Sequence, residues 1–308
     1  MEIGINGSAL LTKPSVAAFR AHAKEAADQG FRCYWLAQSG SIDAITLLAA
    51  VSSSVESIDF GTAVVPSYPR HPAMLAGQAM TAQSISGGRL HLGIGLSHKP
   101  VIEGTYGLSF DKPVRHMREY LSILMPLIEE GKVAFEGDTL SGHTELSIPD
   151  TAPCPVLVAA LGPQMLRLAG ARTAGTLLWM VGDKTVREHI APRISEAAAA
   201  AGRPAPRIVA GLPVCVTDDA KGVRENAGRA FAIYGQLPSY RAMIDREGVA
   251  GPADVAIIGA ENEVEDRLAA MREAGATEFA AVEFAREGDE RARTRELLIR
   301  WQKRAKTG

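Results

Sequence analysis

Residues 61–72 read Gly-Thr-Ala-Val-Val-Pro-Ser-Tyr-Pro-Arg-His-Pro. Pro66, Pro69 and Pro72 stiffen this segment, because each fixes its own φ and biases the preceding residue to extended backbone. Arg70 and His71 end it, and Pro72 suits the first turn of a helix. The segment is read either as an anchored loop with His71 shaping a ligand site, or as a rigid loop whose histidine caps and packs. A second polar cluster, Ser97-His98-Lys99, follows the run Arg89–Ile94. Gly93 and Gly95 in that stretch permit close approach to the backbone. His98 is the group there best suited to exchanging protons near neutral pH. Two further turns expose backbone N–H groups at helix starts, which favours an anion such as phosphate. One is Ala160-Leu-Gly162-Pro163-Gln164; the other is Val181-Gly-Asp-Lys184-Thr185, where Lys184 supplies a charge. Gln38 and Ser39 close the run Phe31–Ala37 and face a mouth if Leu36 faces outward; Trp35 reads as core. No Walker A, HExxH or GxSxG motif and no spaced carboxylate pair is found, which disfavours metal and serine hydrolysis.

These residues fall at the ends of apolar runs that alternate with amphipathic helical stretches. The runs are 2–6, 31–37, 58–65, 89–94, 155–160, 176–181, 208–216 and 278–284. Helices are expected at about 15–29, 43–54, from 72, 113–131, 163–173, 184–201, 219–234, 239–246 and 262–273, with a charged helix closing the chain. Such alternation requires a parallel sheet with right-handed crossovers. Eight units predict an α/β fold of the (β/α)8 TIM-barrel kind, whose reactive groups sit where strands end. An open doubly wound sheet would want a GxGxxG turn after the first run, where Asn6-Gly-Ser-Ala9 stands instead. Residues 132–153 interrupt the pattern between strands four and five and predict a small hairpin. No linker divides the chain, so one domain over 1–308 is expected.

With 46% apolar and 22% charged residues and a formal net charge of −2, the chain lacks the basic character of a nucleic-acid binder. No run approaches a membrane span, and residues 1–8 lack the features of a secretory signal. Cys33, Cys154 and Cys215 are far apart and suggest neither a disulfide framework nor a metal site. A cytoplasmic protein acting on a small molecule is expected.

The segments GTAVVPSYPRHP, SGGRLHLGIG and AALGPQMLRLAG resemble the bacterial-luciferase-like superfamily, and within it the branch using the deazaflavin coenzyme F420. The resemblance runs from Ile3 to about Phe284. It implies a luciferase-like barrel, often homodimeric, with F420 or, alternatively, FMN at the mouth. It implies a non-proline cis bond at Ala63–Val64 beneath the cofactor's central ring. Ala63, Val64, Gly95 and Ser97 would hold the ring; Gly162, Pro163 and Lys184 would take phosphate. His98, with Gln38 or His71, would meet the reacting end. Sugar-phosphate dehydrogenases of this branch carry Asp-His after strand two and Glu after strand four. Gln38-Ser39 and His98 stand in those places, which argues against that substrate. The first expectation is therefore F420-dependent reduction of a C=C or C=N bond in a small organic molecule. The alternatives are an FMN-dependent two-component monooxygenase and a non-catalytic flavin-binding protein.

Overall fold

A computed structural model describes residues 1–40, 42–148, 151–285 and 288–307. Residues 149 and 150 of the expected insertion, and residue 308, lie outside that range. Eight parallel strands close into a barrel: β1 (Glu2–Asn6), β2 (Cys33–Leu36), β3 (Asp59–Thr62), β4 (Leu90–Gly95), β5 (Val156–Ala159), β6 (Gly175–Trp179), β7 (Arg207–Val216) and β8 (Glu278–Glu283). Each pairs with the next, and β8 pairs with β1 through Glu2↔Glu278 to Ile5↔Ala281. A short strand, Ile257–Gly259, adds to the outer end of β7 at Val214–Val216.

Helices wrap the barrel and begin and end on local chemistry. Helix α1 (Val16–Asp28) starts where Ser15 Oγ accepts the Ala18 N–H, and stops before Gly30 at φ 80°. Helix α2 (Ala44–Ser52) starts where the Asp43 carboxylate accepts the Thr46 N–H at 2.8 Å. Then follow α3 (Pro72–Ile85), α4 (Lys99–Gly104), α5 (Pro113–Glu129) and α6 (Pro163–Arg172). The next, α7, runs continuously over 183–200 and contains a π-turn at Val186–Ile190. Helices α8 (Ala220–Ala230), α9 (Pro238–Glu247), α10 (Glu261–Glu273) and α11 (Asp289–Thr307) complete the chain. Among the described residues no helix is long and apolar enough to cross a membrane.

The expected hairpin is present as Lys132–Glu136 antiparallel to Ser141–Glu145. Its turn is lashed to α5: the Glu119 carboxylate accepts the N–H groups of Asp138 (3.1 Å), Thr139 (2.8 Å) and Leu140 (3.0 Å) and the Thr139 hydroxyl (2.6 Å). Burial raises the Glu119 pKa, but these four donors outweigh it and hold the carboxyl below its ordinary value.

Two apolar layers fix the barrel. The outer one packs strands on helices; Leu36 belongs to it. The inner one consists of Cys33, Trp35, Leu157, Leu177, Val209 and Ala280, with Ala63 and Val64 resting on top. Trp35 fills the centre, and a Cβ on Gly61 would stand 2.2 Å from its ring. Below it, Glu278 accepts the Trp35 Nε1–H at 2.5 Å and pairs with Arg207 at 2.9 Å. Asp59 completes this floor by pairing with His91 (2.9 Å) and Arg32 (2.7 Å). The barrel interior is therefore filled, and in this architecture ligands bind at the C-terminal mouth.

Candidate active site

The mouth is shaped first by β3. Its ladder stops at Thr62, the Ala63–Val64 peptide is cis, and Val65–Pro66 resume pairing with Ile94 and Gly95 of β4. Thr62 stitches the two strands together, its hydroxyl donating to the Gly93 carbonyl (2.7 Å) and accepting the Gly93 N–H (2.9 Å). The glycines of β4 answer to this neighbour. A Cβ on Gly93 would lie 2.0 Å from the Thr62 carbonyl oxygen, and one on Gly95 would lie 2.7 Å from Val64 Cγ2. The close approach read from the sequence is thus made by the bulged strand itself. Ala63 and Val64 remain half-buried and form the floor of the mouth.

Ser97 follows β4 with φ 60°, a left-handed conformation uncommon for serine, and turns His98 away from the strand. His98 is the N-cap residue of α4 but makes no side-chain cap hydrogen bond. Its half-buried imidazole meets two phenol rings edge-on, Tyr240 at 5.6 Å and Tyr234 at 6.2 Å. Burial lowers its pKa, so the ring is neutral at pH 7. Lys99, its neighbour, lies in α4 and pairs with Glu103 at 3.4 Å on the surface.

The other expected reactive side chains hold their own loops. Gln38 donates to the Ile42 carbonyl (2.9 Å) and accepts the Ala44 N–H (2.7 Å). Both ends of its amide are thus engaged. His71 caps α3, Nδ1 accepting the Ala73 N–H at 3.3 Å, while Nε2 faces the Ser141 carbonyl of the hairpin at 3.0 Å. Arg70 pairs with Asp43. The structure brings neither Gln38 nor His71 to the ring of His98.

The two anion turns differ. At Gly162, the N-cap of α6, no heavy atom lies within 4 Å of where a Cβ would stand, and no acidic side chain occupies the first turn. Pro163 opens the helix, as expected. Immediately before it, the Leu161 carbonyl faces His189 Nε2 at 2.7 Å. The second turn is filled from within. The Glu247 carboxylate at the end of α9 accepts the N–H groups of Lys184 (3.2 Å) and Thr185 (2.8 Å) and the Thr185 hydroxyl (2.6 Å). A carboxylate of the protein thus stands where the sequence placed a phosphate, and the Lys184 side chain is exposed beside it.

Sequence reading missed several groups at the mouth. Tyr68, after the β3 bulge, stacks on His116 at 3.8 Å and on Phe110 at 5.3 Å. Burial pushes its phenol up to about 12 and lowers His116 to about 4, so both are uncharged at pH 7. Ser67 Oγ and His116 Nε2 share a hydrogen bond of 2.9 Å. Trp179 ends β6 and is followed by Met180 at φ 53°. Among the described residues, four buried side-chain polar atoms lack a hydrogen-bond partner: Tyr68 Oη, Trp179 Nε1, His189 Nδ1 and Gln302 Nε2. Trp179 Nε1 leans toward the Tyr234 hydroxyl without forming a well-made bond. Tyr68 follows β3, Trp179 ends β6 and His189 stands under the Gly162 turn. Gln302 lies at the other end, beside the start of β1; unsatisfied buried groups are costly, and the other three follow strands at the mouth, where a polar ligand would engage them.

Comparison with known proteins accords with this geometry. The chain is 28% identical over 234 residues to an uncharacterised protein of Mycobacterium tuberculosis, covering 71% of this chain and 68% of that one. It is 29% identical over 248 residues to the 5,10-methylenetetrahydromethanopterin reductase of Archaeoglobus fulgidus, covering 78% and 73%. In fold it matches the coenzyme F420-dependent tetrahydromethanopterin reductase of Methanopyrus kandleri with a TM-score of 0.81 at 21% identity, covering 97% of both chains. It also matches the FMN-bound oxygenating constituent of 3,6-diketocamphane monooxygenase from Pseudomonas putida, with a TM-score of 0.73 at 19% identity over 92% of each chain. The sequence model of the luciferase-like monooxygenase family spans residues 3–278, and the chain belongs to that family.

Proposed function

We propose that this protein is an F420-dependent oxidoreductase that reduces a polarised double bond in a small organic molecule. The observation that carries this reading is the mouth itself. Neighbouring strands bring to it Ala63 and Val64 after β3, Gly95 and the neutral imidazole of His98 after β4, and the open helix start at Gly162 after β5. A planar ring fits the floor, and a phosphate fits the backbone N–H groups of Gly162 and Gln164, which flank Pro163. The unpartnered Tyr68 hydroxyl and Trp179 N–H are donors suited to ring carbonyls of such a cofactor.

Bound F420 supplies a hydride, and the reduced substrate gains that hydride and one proton. The protein's part is placement and proton handling. Backbone at Ala63, Val64, Gly95 and Ser97 would hold the ring, and the N–H groups of the Gly162 turn would take the phosphate, with Pro163 setting that turn. Lys184, beside the self-capped turn, adds long-range positive charge at the cofactor's anionic end. His98 would face the substrate atom on which negative charge develops and, once protonated from solvent, would pass it the proton that the product gains. Gln38 and His71 keep the loops after β2 and β3 in register with the floor. The aromatic walls exclude water from the reacting atoms.

Titration of the purified protein with F420 and, in parallel, with FMN tests the cofactor. Micromolar or tighter binding of F420, at least about tenfold tighter than FMN, is expected, with loss in Gly162→Asp, whose carboxylate opposes the phosphate. A preference for FMN would move the assignment to a monooxygenase fed by a separate reductase.

A further inference from the structure

The wall beside His98 is a continuous arc of rings. Starting at Phe284, just beyond β8, the contacts run to Phe231 at 5.2 Å and from Phe231 to Trp179 at 5.7 Å. Trp179 meets Tyr234 at 6.0 Å, Tyr234 meets Tyr240 at 4.9 Å, and Tyr240 meets His98 at 5.6 Å. These six residues come from four places in the chain: the ends of β6 and β8, the loop after β4, and the helices after β7. Each is half-buried, so no ring of the arc is sealed completely, while Phe231 and Phe284 also pack on the apolar cluster of Cys215, Val223, Ala227, Ala256 and Ile258.

Among the described residues, charge is nearly absent from this wall. The cations adjoining the rings in the chain are already neutralised: Lys99 beside His98 pairs with Glu103, and Arg241 beside Tyr240 pairs with Asp245 at 2.7 Å. Arg241 also donates to the Val249 and Ala250 carbonyls. What the arc offers is hydrogen-bond donors at ring edges: the Tyr234 and Tyr240 hydroxyls, the Trp179 N–H and the neutral His98 imidazole. Burial raises both phenols above their ordinary pKa, so they remain protonated donors. Rings pack on rings offset or edge-on, and each such pair adds to what area alone contributes.

We propose that this arc is the substrate site, and that it takes an uncharged, flat, ring-bearing molecule carrying a carbonyl or imine group that faces the His98 edge. Charged sugars and phosphorylated substrates are excluded, because burying an anion against unpaired π-surface and neutral donors is unfavourable. The inference deepens the hydride-transfer reading by naming its substrate class, but binding to the arc does not itself need the cofactor.

The test uses the full-length protein and coumarin, an uncharged bicyclic unsaturated lactone, as the probe, with glucose 6-phosphate as the charged comparison. Binding is followed by calorimetry with and without F420, while F420 binding is followed separately by its own fluorescence. Saturable coumarin binding is expected, weakened roughly tenfold or more in Tyr234→Ala and by less than about threefold in Tyr234→Phe, which keeps the ring. Phe231→Leu, a milder change on the same arc, gives a second reading should the alanine variant fold poorly. Absence of saturable coumarin binding, equal binding by wild type and the ring-deleted variants, or preferred binding of glucose 6-phosphate each overturns the proposal. Coumarin binding without F420 binding leaves the substrate site standing and removes the cofactor assignment; the converse removes only the substrate site.

Discussion

In the proposed reaction His98 is the side chain that handles the proton, and its environment fixes the sign of its pH behaviour. Burial lowers its pKa below 6.5, so the imidazolium predominates only in acid and the neutral ring at pH 7. A neutral ring donates a hydrogen bond; an imidazolium can pass its proton outright. The reduction rate is therefore expected to rise as pH falls through the His98 pKa, and the reverse oxidation to hold its rate above it. His98→Ala should lose that limb of the kcat/KM profile and lower kcat by roughly 100-fold, with the cofactor Kd little changed. A variant with wild-type turnover and the same pH profile would remove His98 from the chemistry. His98 stood out in sequence because polar residues after a barrel strand are expected at the mouth. Gln38 and His71 satisfied the same rule, and what the rule could not show is that Ile42, Ala44, Ala73 and Ser141 already engage them. Trp179 was passed over for a related reason. An aromatic residue in an apolar run reads as core, and only the fold shows that its N–H is left without a partner.

At the scale of elements, periodicity located all eight barrel strands and the hairpin, because alternation of strand and helix is a long-range pattern that short irregularities do not erase. Its errors lie where local backbone geometry intervenes. The expected strand 58–65 breaks at the cis bond, and the expected strand 176–181 ends early because Met180 turns left-handed. The 3-10 turn Gly7–Thr12 and helix α4 are too short to carry a periodic signal. The second phosphate turn was misjudged for a three-dimensional reason: its cap comes from Glu247, 62 residues after Thr185. This self-capping is open to test. Glu247→Ala leaves the Lys184 and Thr185 donors without a partner and should cost about 1–2 kcal/mol, lowering the melting temperature by a few degrees. The vacated donors then form an anion site, so millimolar phosphate should recover part of the loss in the variant and do less for the wild type. Equal phosphate responses would mean that Glu247 does not hold that turn.

The whole molecule poses a different question, which the solid barrel and the single open mouth leave untouched. Helices α2 and α3 lie side by side on the outside, and neither Ala44–Ser52 nor Pro72–Ile85 contains a charged residue. Between them and the hairpin runs a shallow groove of about 880 Å3, lined largely by small residues such as Ala49, Ala50, Ala73 and Gly77. Met74 and Ile85 stand out of this face at 67% and 50% exposure. Glu145, at the hairpin edge, is the one charged residue among those lining the groove, and an exposed apolar patch of this kind seldom stays in water. Protruding side chains beside small-residue hollows form the kind of surface that a two-fold contact between identical chains can use. We therefore expect a homodimer joined through α2 and α3, with Met74 of each copy entering the hollow of the other. Sedimentation velocity of the wild type should give twice the chain mass, and Met74→Glu, which places a charge at the seam, should give the monomer with its barrel intact by circular dichroism. A wild-type monomer at tens of micromolar, or a Met74→Glu dimer as tight as wild type, would mean that this face serves some other end.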